Sequence, residues 1–254
     1  MTNAIDHLKD LRIVKLNLDP SDIFISTVGY VKITNFTNCK VIRSKADLAY
    51  SKDILSFGYL FYFLLTNGDF LQNQETKSLK ETFLLLKSKL ETSDELLCLS
   101  IMINIFFLSD TSKHIQLTAK EILEHMYFWN QRRTLKYISS IVFLLHFNED
   151  NKLRQNLLTK SYHVIGTEGD WQLRIEREVL NEISEHVFIE NNTNDIGNII
   201  HLLKTVSRLN NHPRKSPALV KYMGTSPEEL INYWVNKFPY LLVHLQDAVL
   251  SEKE

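Results

Sequence analysis

From Tyr127 to its end the chain carries apolar residues at the spacing of one helix face. Leu135, Ile138, Val142 and Leu145 mark such a face within Gln131–Phe147. Trp171, Ile175, Val179 and Ile183 repeat every four residues and predict a second amphipathic helix. Ile196, Ile199, Leu203 and Val206 predict a third. Ser226-Pro227-Glu228-Glu229 is a helix cap with Pro at the first helical position, ahead of Leu230–Val235. Pro239 then interrupts the chain before a last helix, Tyr240–Leu250. This half predicts an all-helical domain, and the polar run Glu190–Asp195 predicts a flexible loop within it.

The first half is patterned differently. Ile23–Ser26 and Val31–Thr34 are short apolar runs split by Val28-Gly29, the signature of a hairpin. Ser51 predicts a cap for a helix starting Lys52-Asp53-Ile54 and ending at the turn Thr66-Asn67-Gly68-Asp69. Leu79–Leu90 and Asp94–Phe107 predict further helices. Thr118-Ala119-Lys120-Glu121 is a capping box opening a helix through His125. The mixed pattern stops near Phe128–Asn130, which predicts two domains, residues 1–128 and 129–254.

Composition excludes several classes. At 44% hydrophobic residues, a chain of 254 can bury a substantial core. With 29 Lys plus Arg against 30 Asp plus Glu, any nucleic-acid site must be local. Cys39 and Cys98 stand far apart and form neither a disulfide framework nor a metal motif, as in a reducing, cytoplasmic setting. Met1–Asp10 is polar and charged rather than a signal peptide. The apolar runs Ile54–Leu65 and Leu96–Leu108 fall short of the roughly 20 residues a membrane helix needs and predict buried core helices. His7, His125, His146, His163, His186, His201 and His244 show no ligand spacing with Cys or acids, so no metal or cofactor is expected. Trp129, Trp171 and Trp234 lie on apolar faces and read as core.

Several segments resemble known motifs. Val14-Lys15-Leu16-Asn17-Leu18-Asp19-Pro20-Ser21-Asp22-Ile23 and Val31-Lys32-Ile33-Thr34-Asn35-Phe36-Thr37 follow the catalytic and metal-binding loops of protein kinases. Ser51–Gly58 resembles the start of the central helix of the kinase C-lobe, a likeness in which Asp53 would brace the catalytic-loop backbone. Thr118–Trp129 is similar to the final kinase helix. Gly169-Asp170-Trp171 and Tyr233-Trp234-Val235-Asn236-Lys237-Phe238-Pro239-Tyr240-Leu241-Leu242 resemble the KEN ribonuclease module. Their order resembles the family of the inositol-requiring stress-sensor kinase/endoribonuclease and ribonuclease L. The resemblance implies a mainly α protein, a degenerate kinase-like C-lobe without its N-lobe followed by an all-helical KEN domain.

Within that resemblance the kinase chemistry is gone. The catalytic-base position holds Asn17, the loop Lys position Asp19, the metal-binding Asn position Asp22 and the metal-binding Asp position Asn35. An amide at 17 cannot accept a substrate proton, and an amide at 35 is a poor ligand for a hard cation. Asp22 retains a carboxylate that a metal would accept. No Gly-rich loop precedes these motifs, so protein-kinase activity and nucleotide binding are not expected. The lobe reads as a structural platform.

The KEN pattern is better kept. Leu202-Leu203-Lys204-Thr205-Val206-Ser207-Arg208-Leu209-Asn210-Asn211-His212 places His212 at the family's catalytic spacing. An imidazole suits proton transfer because the residue type titrates near working pH. The family's Arg-Asn pair is replaced by Ser207 and Arg208. Arg208 supplies a cation one position along, a shift that turns a helical side chain by about 100°. Asn194 or a neighbour aligns with the family's Tyr, and Tyr222 is a fallback on residue type alone. No acid occurs from Ile196 to Pro227, while Lys204, Arg208, Arg214, Lys215 and Lys221 lie there. Such an island suits RNA phosphates, or is simply a solvated basic face.

The resemblance therefore implies a metal-independent endoribonuclease acting on RNA as a dimer, with His212 and Arg208 catalytic and Lys204, Arg214 and Lys215 on the phosphates. The alternative is an inactive regulator that pairs with a full-length kinase-endoribonuclease. A helical scaffold without an RNA role is the third reading.

Overall fold

The computed structural model describes residues 7–8, 10–15, 18–41, 47–70, 76–108, 118–147, 152–159, 161–186, 197–212 and 216–251. Asn17, Asn194, Arg214, Lys215 and the expected loop Glu190–Asp195 lie outside them. The chain is mainly helical and divides into two compact units. One comprises Met1–Leu90 and Leu97–Phe128, the other Glu91–Leu96 and Trp129–Glu254.

The first unit opens with four short strands. β1 (Ile13–Val14) pairs antiparallel with β4 (Lys40–Val41), and β2 (Ile23–Ile25) with β3 (Val31–Ile33), Ile23 facing Ile33. The second pair is the expected hairpin, and Gly29 sits at φ +84° in its turn. Between β1 and β2 a 3-10 turn, Pro20–Asp22, is held by a capping box from Asp19 and Asp22. Helices α1 (Asp47–Leu65), α2 (Thr76–Lys87), α3 (Ser93–Leu108) and α4 (Ala119–Leu123) follow, with Ser93–Leu96 of α3 belonging to the second unit. α1 starts upstream of the expected cap at Ser51, which lies inside it. It ends at the expected turn, with Asn67 at φ +58° and Gly68 at φ +118°. In α3 every residue from Leu96 to Met102 is buried, so the run that reads as apolar is a core helix. Among the described residues no helix is long and apolar enough to cross a membrane.

The capping box of Thr118 and Glu121 opens α4, as expected, but the helix stops at Leu123, with Glu124 as its C-cap. His125 lies just beyond and is 6% exposed. Its Nδ1 accepts the Tyr127 N–H at 3.2 Å, which places the ring proton on Nε2.

The second unit is all helical among its described residues. It contains α5 (Gln131–Phe147), α6 (Lys152–Leu158), α7 (Tyr162–Ile165), α8 (Arg177–His186), α9 (Ile199–Asn211), α10 (Pro217–Met223), α11 (Pro227–Lys237) and α12 (Leu241–Leu250). α9 packs on α5 and α6, α11 on α5, and α12 on α6. Leu135, Ile138 and Leu145 of the predicted face of α5 are buried, whereas Val142 is half-buried and Ile141 is buried beside it. His244 Nε2 lies 2.8 Å from the Leu157 carbonyl, and Asn156 Nδ2 donates to the Ala248 carbonyl at 3.0 Å, tying α12 to α6.

Two further expectations are corrected. Trp171–Ile183 is not one helix: Asp170 caps a 3-10 turn over Trp171–Arg174, and Ile175 is extended at φ −104°, ψ 144°. The helix proper, α8, begins at Arg177, although Trp171, Ile175, Val179 and Ile183 all remain buried. Trp129 is half-buried rather than core; it meets Tyr137 edge-on, and the Arg133 guanidinium lies 4.3 Å above it. Gly224 closes α10 at φ +62°, where a Cβ would fall 2.2 Å from Glu229 Cδ. Glu229 is fixed there because it completes the capping box of α11 with Ser226.

Burial pushes the His125 imidazole down to about 4 from its ordinary value. The unfolded chain therefore binds one more proton than the fold between about pH 4 and 6.5. This contribution is complete above pH 6.5 and is lost on acidification, a difference of about 3 kcal/mol across the window. Urea melts of wild type and His125→Gln at a series of pH values should show the wild-type slope steeper by up to about 1.4 kcal/mol per pH unit.

Candidate functional site

The polar surface of α9 is narrow because the helix is buried almost all round. Ile199, Ile200, Leu202, Leu203, Val206 and Leu209 are core, and His201, Thr205 and Ser207 are buried with them. Lys204 and Arg208 are half-buried, and His212 is exposed. At 3.6 residues per turn, positions 204 and 208 lie about 40° apart and form one stripe, and His212 follows at the end of the helix. His212 is the C-cap: its backbone is extended, and its N–H donates to the Arg208 carbonyl at 3.0 Å. Cations at this helix end are favoured by the carbonyl dipoles.

Ser207 faces the other way. It is 6% exposed and its Oγ lies 3.0 Å from Ser139 Oγ on α5. Arg208, one position on, reaches the partly open side. Ser139 was not legible as part of this arrangement, because nothing in its own segment marks it.

The start of α9 is held by a clamp from elsewhere in the unit. Asn198 accepts the Ile200 and His201 N–H groups at 2.9 and 3.1 Å. His201 Nδ1 accepts both the Trp171 indole N–H and the Gly197 N–H, each at 3.2 Å. The Trp171 N–H returns to the Gly197 carbonyl at 3.0 Å. Gly197 is required here: at φ +82° a Cβ would sit 3.0 Å from Asp170 Cγ, while Asp170 Oδ1 receives the Gln172 N–H at 2.9 Å.

The motif of α11 completes this core. Trp234 is fully buried, 5.8 Å from Trp171 at 71°, and Phe238 stacks on it at 6.2 Å. Tyr233 Oη donates to Glu176 Oε2 at 2.6 Å, and Lys237 pairs with Glu176 Oε1. Burial, then the Glu176 carboxylate, pushes the Tyr233 phenol up. Burial alone would raise Glu176, but hydrogen bonds from Lys237 and Tyr233 outweigh it and hold the carboxyl below its ordinary value. Glu176 is a second residue that sequence reading passed over.

Tyr222 is engaged otherwise. Its hydroxyl lies 3.4 Å from Glu178 Oε2 and 3.2 Å from Lys221 Nζ, and Lys221 pairs with Glu178 at 3.5 Å. Of the expected site residues, Lys204 and Arg208 stand on one stripe of α9 and His212 caps its C-terminal end. Among the described residues no group of three or more His, Cys, Asp or Glu could hold a metal ion.

Residues 131–254, the span from α5 onward, match the family described as ribonuclease 2-5A. The chain is 23% identical to the serine/threonine-protein kinase/endoribonuclease ire-1 of Caenorhabditis elegans, over 97% of this chain and 28% of that protein. It is 21% identical to the human serine/threonine-protein kinase/endoribonuclease IRE2, over 99% of this chain and 30% of that one. For the probable serine/threonine-protein kinase ireA of Dictyostelium discoideum the identity is also 21%, over 94% and 26%. The chain spans less than a third of the length of each of these relatives.

Removing one hydroxyl tests the bonds that Glu176 makes to α11. Tyr233→Phe leaves Glu176 with one fewer donor while keeping the ring in place, and should lower stability by about 1–2 kcal/mol in denaturant melts.

Proposed function

Starting from a chain related to the stress-sensor kinase/endoribonucleases and ribonuclease L, with a ribonuclease 2-5A module over residues 131–254, we propose that it is a metal-independent endoribonuclease. One feature supports this reading: Lys204 and Arg208 form a half-buried stripe on a helix that is otherwise core, and His212 caps its C-terminal end.

In this reading RNA lies along the stripe. Lys204 and Arg208 screen a phosphate, with Arg214 and Lys215 extending the basic run in sequence. The ribose 2′-oxygen attacks the adjacent phosphorus; its bond to phosphorus forms as the bond to the 5′-oxygen breaks. His212 moves the proton that this exchange requires. The products are a 2′,3′-cyclic phosphate and a 5′-hydroxyl. The residues 1–128 serve as a kinase-like platform without phosphoryl transfer, and the active form is a dimer.

A second reading has its own support. Ser207 is buried against Ser139, so the position that carries Arg in the family pattern cannot present a cation to RNA. Loss of one such group costs about 100-fold or more. That favours an inactive protein that pairs with a full-length kinase-endoribonuclease.

Incubation with a stem-loop RNA in EDTA separates the two. The ribonuclease reading predicts cleavage ending in a 2′,3′-cyclic phosphate, abolished in His212→Ala and reduced about 100-fold in Arg208→Ala. Absence of cleavage at dimer-promoting concentration sinks it, and hetero-association with a related kinase-endoribonuclease in sedimentation then supports the regulator. Independently of cleavage, Lys204→Ala and Arg208→Ala should each flatten the slope of log affinity against log salt by about 0.7 for single-stranded RNA.

A further inference from the structure

The loop between β1 and β3 contains a buried charge cluster that the ribonuclease reading does not use. Lys15 is 4% exposed, and its Nζ lies 2.6 Å from Asp22 Oδ2, a carboxylate side chain that is itself 7% exposed. The same ammonium donates to the Asn35 carbonyl at 3.2 Å. Asp22 Oδ1 accepts Asn35 Nδ2 at 2.9 Å, and Oδ2 also accepts the Asp19 N–H at 3.2 Å. Asn35 Oδ1 accepts the Thr37 hydroxyl, and Asn35 is in the left-handed region at φ +56°. The Asp22 carbonyl accepts both the N–H and the hydroxyl of Thr34. From α1, Asp53, 1% exposed, accepts the Lys15 N–H at 3.0 Å, the brace that the kinase resemblance implies.

The kinase likeness implies a divalent cation on positions 22 and 35, and these residues do not fit one. A hard cation needs open carboxylate oxygens. Both oxygens of Asp22 already accept hydrogen bonds, and the amide oxygen of Asn35 is engaged by Thr37. A fixed ammonium beside them repels a second cation in a water-poor site. Lys15 therefore does electrostatically what a metal would do: it neutralises Asp22 and ties it to the backbone of Asn35. The Asp22 carboxyl is accordingly held below its ordinary value, chiefly by the Lys15 hydrogen bond.

We propose that Lys15 is a built-in counter-ion standing where a divalent cation would sit between Asp22 and Asn35. It fixes Asp19–Thr37 in one shape that neither divalent cations nor nucleotides bias. The kinase-like unit would then be a constitutive element and not a ligand-operated switch. This inference is independent of RNA cleavage, and its test reads stability alone.

Calorimetry of the intact chain tests it. The wild-type melting profile should not move with millimolar magnesium, manganese or magnesium-ATP. Lys15→Met leaves a buried carboxylate without its counter-ion and should lower melting of the first unit by on the order of 10 °C. Millimolar manganese should recover part of that loss, since the ammonium that bonded Asp22 Oδ2 and the Asn35 carbonyl, and repelled a second cation, is gone. Lys15→Met/Asp22→Asn, with both charges removed, should melt above Lys15→Met and ignore manganese. A rise of the wild-type transition with magnesium-ATP overturns the proposal. So does a Lys15→Met protein that melts with wild type, one that manganese does not help, or a manganese response that persists in the double variant. Should Lys15→Met not fold, the double variant decides: folding near wild-type stability supports the counter-ion role, and failure to fold overturns it.

Discussion

The hydrogen bond from the Trp171 indole to His201 Nδ1 is the interaction on which the second unit depends. It joins the Gly169-Asp170-Trp171 segment to the first turn of α9, across 30 positions of sequence. The ring nitrogen is shared with the Gly197 N–H, so the same imidazole sets both the angle of the indole and the point where α9 begins. Trp234 then meets that indole edge-on, and Phe238 stacks on Trp234. The face that α9 leaves open, and hence the direction of Lys204, Arg208 and His212, follows from this clamp. A buried polar bond carries much specificity because leaving either partner unmatched costs more than the bond contributes.

The two units use polar groups in opposite ways. In the first, Lys15, Asp22, Asn35 and Asp53 turn their charge and hydrogen-bonding capacity inward upon one another. In the second, α9 buries most of its surface, while Lys204 and Arg208 are half-buried on it and His212 is exposed at its C-terminal end. Chemistry on an external ligand needs groups of the second kind, which is why the functional reading rests on α9 rather than on the kinase-like loop.

Much of the fold was legible from the sequence, for local reasons. The buried faces of α5 and α3, the hairpin around Gly29 and the capping boxes at Thr118 and Ser226 all depend on residues within a few positions of each other. Periodicity misled at Trp171–Ile183, because an Asp cap and an extended Ile175 break the backbone while the side chains stay on one side. It also could not show that Ser207 points inward and Arg208 outward, since that depends on Ser139 from 68 positions away. Lys15 escaped notice for the same reason: its partners are brought to it by the turn at Pro20 and by α1. Residues whose role is defined by distant partners are not marked in their own segment.

Three of the helical starts, at Pro20, Ala119 and Pro227, are fixed by reciprocal bonds between a cap and a carboxylate three residues on. Such boxes close within one turn of chain and need no tertiary partner to form. They can therefore hold the register of these segments while the rest of the chain is still collapsing, when long-range contacts are costly in loop entropy. The boundary of α11, on which the Trp234–Phe238 spacing depends, is thus set by local bonds that do not wait on the contact with Trp171. The helix arrives at the core already in phase.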